Sequence, residues 1–244
     1  MKNILSGLDP VSLQLVRDIG ALARARGMKA YLVGGPVRDL ILGHPSLDLD
    51  ITVEGRGIIL AQAFAASHKG RAMTYPAFGT ATVTLAGRRK VDFATARKET
   101  YARPGAFPAV EFSNIKDDLS RRDFTVNAMA VSIDPRSWGR TVDPFGGRKD
   151  LKAKKIRVLH ERSFIDDPTR ILRAARFSAR LGFALERKTL DLLKAALRFE
   201  ALDCIKPQRY MKEYNRILKE DRPQPALECL KAWRALKEEV HAAH

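Results

Sequence analysis

Apolar residues recur near helical spacing at Val11, Leu13, Leu15, Val16, Ile19, Leu22 and Ala23, and the run closes at Gly27. With Asp9 and Pro10 in front, this pattern predicts a first helix. The period then shortens. "KAYLVGG" reads as a strand, residues 36–42 as a short helix, and "LDLDITV" (47–53) as an alternating strand. Residues 57–67 read as helix, "TATVTLA" and "RKVDFATA" as two antiparallel strands joined at Gly87, and residues 97–113 as an irregular loop. "NAMAVSID" (127–134) predicts another strand, "DPFGGRKDL" (143–151) a turn-rich segment, and "KIRVL" a short strand. From about 161 the helical period dominates, through Ile171, Leu172, Ala175, Phe177 and Leu181, then Leu190, Leu192, Leu193 and Leu197, with a last helix from about 223. The pattern predicts a mixed strand-and-helix domain, a boundary near 150–160, and a helical domain after it.

One strand breaks its own pattern. Residues two apart in a strand point the same way, so Asp48 and Asp50 share a face, with backbones about 6.6 Å apart. Carboxylates that close raise each other's pKa unless a cation neutralises them, and Mg²⁺ suits such a pair when substrate phosphates complete its shell. The same pair also fits a solvated edge strand with its acids facing water. Just upstream, Gly34 and Gly35 end a strand and open a helix, where backbone N–H groups favour an anion, and Arg38 lies one turn in. A tight turn alone also explains paired glycines. Gly-Gly, Arg and the paired-Asp strand in sequence point more specifically to a nucleoside triphosphate with a metal.

Charge adds a partner. The 244 residues carry 44 Lys and Arg against 28 Asp and Glu, a formal +16. That excess predicts a polyanionic partner, and nucleic acid fits better than a membrane because the basic residues form no amphipathic basic segment. The two cysteines, Cys204 and Cys229, lack zinc-site spacing and read as reduced packing thiols. No stretch approaches about 20 apolar residues and the N-terminus lacks a leader-like apolar core, so the expectation is a cytoplasmic protein without a membrane partner.

Four segments then act together: "VGGPVRDLILGHPSLDLDITV", "DLSRRDFTVNAMA", "DPFGGRKDL" and "FIDDPTRILRAARFSARLGF". In order and spacing they resemble the motifs of the class II tRNA nucleotidyltransferases and their bacterial poly(A) polymerase relatives, over roughly residues 30–183. The resemblance implies an α/β head of the DNA polymerase beta-like nucleotidyltransferase type, a mixed sheet with helices, over 1–155. An all-helical neck follows over 156–244, with the family's body and tail absent or much reduced. It implies template-independent addition of C, A or both from CTP and ATP to the 3′ end of tRNA, with Asp48 and Asp50 holding two Mg²⁺ ions for in-line attack on the α-phosphate. Asp92 is the candidate third catalytic carboxylate, although pairing with Arg88 or Arg97 accounts for it equally well. Gly34, Gly35 and Arg38 are expected at the triphosphate, Arg122 at the nucleotide, and Asp123 and Asn127 around the ribose. Taken one at a time, Arg121 and Arg122 could be a solvated basic pair and Asp123 a turn cap.

On the neck helix, Asp167, Arg170, Arg173 and Arg176 match the family's nucleotide-contacting residues. At about 100° per residue, Asp167, Arg170 and Arg173 share an arc of roughly 120°, whereas Arg176 lies opposite Asp167. "DPFGG" resembles the hinge between head and neck, and a plain loop fits it too. The chain departs from the family in having Asp166 where Glu is usual. The alternatives are a poly(A) polymerase extending RNA 3′ ends and a non-catalytic RNA-binding module that kept the head fold.

Overall fold

The structure is a computed structural model that describes residues 3–45 and 48–237, and the chain divides into two compact units. Unit 1 holds residues 1–99 and 110–151; unit 2 holds 100–109 and 152–244. Leu47, expected in the second strand, lies outside the described residues.

Unit 1 opens with α1, Pro10–Ala25. Asp9 caps it by accepting from the backbone N–H groups of Val11 and Ser12, both at 3.1 Å, and Pro10 supplies the fixed φ of a first turn. Then follow β1 (Lys29–Val33), α2 (Gly35–Leu42), β2 (Leu49–Glu54) and α3 (Gly57–Ser67). After α3 come β3 (Arg71–Tyr75), β4 (Thr80–Thr84), β5 (Lys90–Thr95), β6 (Arg97–Thr100), β7 (Ala109–Phe112) and α4 (Ile115–Ser120). The unit closes with β8 (Ala130–Ser132), β9 (Thr141–Val142) and α5 (Gly147–Lys152).

Seven strands form one sheet in the order β3-β4-β5-β2-β1-β8-β9, all neighbours antiparallel except β2 and β5. Alternation assigns the faces. Leu32, Ile51, Phe93 and Ala81 lie in register across four strands, all of them buried. Phe64 of α3 meets Phe93 with ring centroids 5.7 Å apart, so this is the face that α3 covers. The opposite face carries Asp50, Thr52, Asp92, Thr80 and Thr82.

Unit 2 contains β10 (Lys155–Ile156), paired in parallel with β11 (Ala184–Leu185), and the helices α6 (Ser163–Asp166), α7 (Thr169–Leu181), α8 (Arg187–Arg198), α9 (Pro207–Leu218) and α10 (Gln224–Trp233). Helix α7 buries Ile171, Leu172, Ala174, Ala175 and Phe177 and packs against α9 and α10, whose contributions include Tyr210, Ile217 and Leu230.

Four sequence expectations need correction. Residues 97–113 are not an irregular loop, because β6 and β7 pair as a two-stranded ribbon. Every residue of β7 is exposed, so no apolar period marked it. The hydrophobic pattern does not show β3 either: it is an edge strand with no fully buried residue. The second strand starts at Leu49, so Asp48 precedes it and is exposed. The strands expected at 127–134 and 155–159 are also shorter than their sequence patterns, β8 because residues 125–127 form a 3₁₀ turn.

Gly20, in the middle of α1, shows how closely that helix approaches the sheet. A Cβ there would lie 1.9 Å from the Ile133 carbonyl oxygen. In an ordinary helix Gly→Ala stabilises by up to about 1 kcal/mol, but here the clash dominates. Gly20→Ala is expected to lower unfolding free energy by about 1–3 kcal/mol in a urea titration; an increase would show that α1 does not sit this close.

Candidate functional site

The parallel register of β2 on β5 sets Asp50 directly opposite Asp92. On the other side of β5, Thr82 pairs with Asp92 and its hydroxyl donates to Asp92 Oδ1 at 2.5 Å. Among the described residues Asp92 forms no ion pair with Arg88 or Arg97: Arg97 binds Glu99 and the Phe78 carbonyl instead. Asp50 lines a cleft of about 310 Å³ with Thr52, Tyr75, Thr80, Thr82, Asp92 and Arg122. Burial, and then the neighbouring Asp92, push the Asp50 carboxyl up to about 6, with Arg122 opposing and Asp48 adding to the rise. A carboxylate this costly to ionise, with a second acid facing it, is a fit for a cation. Among the described residues no three His, Cys, Asp or Glu side chains gather into a complete cage. Asp50 and Asp92 therefore suit an ion that takes its remaining ligands from phosphate and water.

Gly34 is the hinge of the next group. Its φ of +71° is one that residues with a Cβ adopt at a cost, and a Cβ there would stand 2.6 Å from Arg122 Nη1. Glycine leaves room for that guanidinium beside the start of α2. Arg122 is fixed from behind by Asp118 Oδ2 at 3.1 Å, while Arg121 takes Asp118 Oδ1 at 2.7 Å and Glu99 at 3.1 Å. Asp118 is 0% exposed; burial works against its charge, yet Arg122 and Arg121 hold its carboxyl below the usual range. The Arg121–Arg122 pair is thus half-buried and held by Asp118 and Glu99, not a solvated patch. Sequence reasoning missed Asp118, because an acid in the first turn of a short helix reads as a dipole partner.

Arg38 turns inward. It is 3% exposed, forks onto Asp39 at 2.9 Å through both Nε and Nη2, and donates to Asn127 Oδ1 at 2.6 Å. Asn127 in turn donates to Asp123 Oδ1 at 3.0 Å, which also accepts the Phe124 N–H at 2.8 Å. Arg38, Asn127 and Asp123 therefore form one buried chain, with Gly35 in the first turn of the same helix.

Unit 2 holds the second group. Asp167 Oδ1 accepts from Thr169 N at 3.2 Å, Thr169 Oγ1 at 2.6 Å and Arg209 Nη2 at 2.9 Å. That oxygen is saturated, so Oδ2 is the one left for a ligand. Arg209 also donates to the Gly105 carbonyl at 2.7 Å and lies 5.1 Å from the Phe107 ring. It was not among the sequence candidates; its one signal is its place in the first turn of a helix opened by Pro207. Arg170 is 4% exposed and donates to Ser163 Oγ at 2.5 Å, with His160 at 3.5 Å; burial and then Arg170 hold the His160 imidazole below its usual value. Arg173 and Arg176 turn toward α9, pairing with Glu213 at 3.5 Å and Glu220 at 3.4 Å.

Comparison with known proteins gives concordant likenesses. The family described as Poly A polymerase head domain matches residues 30–157. The chain is similar to the A-adding tRNA nucleotidyltransferase of Aquifex aeolicus (strain VF5), 49% identical over 211 residues that cover 86% of this chain and 26% of that protein. It is also similar to the A-adding tRNA nucleotidyltransferase of Halalkalibacterium halodurans, 43% identical over 229 residues that cover 92% of this chain and 54% of that protein. Among solved structures it matches a tRNA nucleotidyltransferase complexed with a primer tRNA and an incoming ATP analog, with a TM-score of 0.82 and 45% identity over 91% of this chain and 62% of that one. The chain spans between about a quarter and a half of the length of these curated relatives. No helix among the described residues is long and apolar enough to cross a membrane.

The raised Asp50 pKa carries a stability signature. An acid whose pKa is higher in the folded protein contributes full stability below about pH 4 and loses it as pH rises through about 6. In a metal-free buffer, Asp50→Asn is therefore expected to raise unfolding free energy at pH 7 by about 1–3 kcal/mol and to change it little at pH 3.5. Urea titrations at both values check this, and equal stability at pH 7 would show that the carboxylate is not held uncompensated.

Proposed function

The chain belongs to the Poly A polymerase head domain family, and on that basis we propose that it performs template-independent nucleotidyl transfer to the 3′ end of tRNA. The observation that carries the reading is the register match of Asp50 with Asp92, two acids facing each other on the open face of the sheet. Two relatives named for A addition favour AMP from ATP as the nucleotide transferred, with CTP as the other candidate. Residues 1–155 are proposed as the catalytic head and 156–244 as a helical neck, acting in the cytoplasm. Enzymes of this family generally use divalent metals, and we infer Mg²⁺ from the hard oxygen donors and the triphosphate substrate.

Asp50 and Asp92 would hold the metal, with Asp48, whose charge is felt at Asp50, as the further carboxylate beside them. When bound, the metal neutralises the triphosphate and lowers the pKa of the attacking hydroxyl. The RNA 3′-hydroxyl gives up its proton to solvent, its oxygen forms a bond to the α-phosphorus as the bond to the bridging oxygen breaks, and pyrophosphate leaves. Gly34, Gly35 and Arg122 lie where the triphosphate is proposed to bind, with Arg122 aimed by Asp118. Arg38 serves as a positioning residue for Asn127 and Asp123 at the ribose, since its own guanidinium is buried and engaged.

In unit 2, Asp167 Oδ2 accepts the exocyclic amine of A or C while Arg170 donates to the adjacent ring nitrogen. U and G present the reverse pattern. Arg173 adds positive charge at the nucleotide, while Arg176 lines the separate cleft at the ends of α7 and α9. Arg209 and Thr169, by occupying Oδ1, fix which oxygen meets the base.

Asp48→Ala and Asp50→Ala are each expected to lower AMP incorporation into tRNA ending in CC by at least about 10³-fold with the fold retained. Radiolabelled incorporation resolved on a gel reads both rate and product length. Unchanged turnover would sink the catalytic assignment, and a long ladder of A would move the reading to poly(A) synthesis.

A second prediction concerns base choice. Asp167→Ala and Arg209→Ala should each narrow the preference for ATP over GTP and UTP, by about 10-fold or more. Competition among the four triphosphates measures it. A preference ratio untouched in both variants would leave Asp167 as no more than a helix-terminal acid.

A further inference from the structure

Unit 2 carries a second cleft, of about 610 Å³, lined by the end of α7, the end of α9 and the turn into α10. Five cations line it: Arg176, Arg180, Arg216, Lys219 and Arg222. Two of the five are answered, Arg176 by Glu220 at 3.4 Å and Arg216 by Glu213. Arg180, Lys219 and Arg222 have no ion-pair partner among the described residues, and the one other acid in the lining is the exposed Asp221. A helix C-terminus favours a cation in its last turn, which accounts for Arg180 on α7 and Lys219 at the end of α9. It does not account for Arg222, which lies beyond the helix. Nor does it explain Arg176 Nε, a buried donor with no acceptor.

A wide cleft in which three exposed cations, Arg180, Lys219 and Arg222, go unanswered calls for an oxyanion that comes from outside the chain. We propose that this cleft binds phosphates of the RNA backbone. The proposal rests on the reading of RNA as substrate, and it assigns a role to residues that neither recognise the base nor hold the metal. Phosphate oxyanions also occur in the nucleoside triphosphate, so the test separates the two sources.

The test uses the full chain bearing Arg180→Glu, Lys219→Glu and Arg222→Glu together. A control triple, Lys69→Glu, Lys116→Glu and Lys152→Glu, makes the same change in net charge at other exposed lysines. Equilibrium binding of tRNA is measured by fluorescence anisotropy across a salt series, alongside the KM for ATP at saturating tRNA. The cleft triple should weaken tRNA binding at least 10-fold in dilute salt. It should also reduce the slope of log K against log salt by about 0.7–0.9 for each phosphate that is no longer neutralised. ATP KM should stay within about twofold, and the control triple should fall well short of the cleft triple.

Unchanged tRNA affinity and slope would overturn the proposal, as would an equal loss in the control triple or a loss confined to ATP. Because all three targets are exposed, misfolding is not expected, and an unchanged melting temperature verifies that. If the parent chain binds tRNA through this cleft but adds no nucleotide, the catalytic reading falls while the cleft stands. If addition proceeds and the cleft variants bind tRNA as the parent does, the reverse holds.

Discussion

The register of β2 on β5 is the constraint on which the rest of unit 1 depends. Both strands alternate, and their parallel pairing must bring Leu49 beside Val91 and Ile51 beside Phe93 to close the core under α3. With the pleat's period of two, the same register delivers Asp50 to Asp92 on the opposite face. A slip by one residue would bury a carboxylate against Phe64 and lift an aromatic into water, a penalty of several kcal/mol in each direction. Packing therefore specifies the site: the apolar side chains that never meet a ligand decide where the acids stand.

The electrostatics around that register are arranged in tiers. Asp118 is fully buried yet ionised, because Arg121 and Arg122 face it from two sides. Asp50 is the opposite case, an acid whose nearest charges include another acid and whose ionisation the protein resists. The contrast is informative: where the fold needs an acid for structure it supplies guanidinium partners, and where it leaves one uncompensated the neutralising charge has to arrive with a ligand.

Much of this was legible in the sequence, for a definite reason. β2, β4 and β5 each bury one face, so their apolar period survives in the string of residues, and Asp48 and Asp50 stand out by interrupting it. β3, β6 and β7 are exposed along most of their length, and a strand with nothing to bury has no period to read. Arg38 shows a different limit. One turn into a glycine-led helix it looks like a phosphate ligand, and only the tertiary fold shows it turned inward to Asp39 and Asn127. Asp118 was invisible because an acid on a helix first turn satisfies local rules by itself. Arg209, a base that the helix dipole does not favour there, had no partner within its own segment to explain it. Their partners lie in other elements, and sequence spacing carries no information about those.

The path of the chain has an evolutionary consequence. Residues 100–109 belong to unit 2 although unit 1 resumes at 110, so the backbone passes from one unit to the other three times. A single cut near 151 would leave those ten residues stranded on the wrong fragment, along with the Gly105 carbonyl that Arg209 grips. The two units cannot be traded as cassettes by one recombination event. Lineages that remodel this protein must alter it at loops or extend it at its ends, with the two units inherited as a pair.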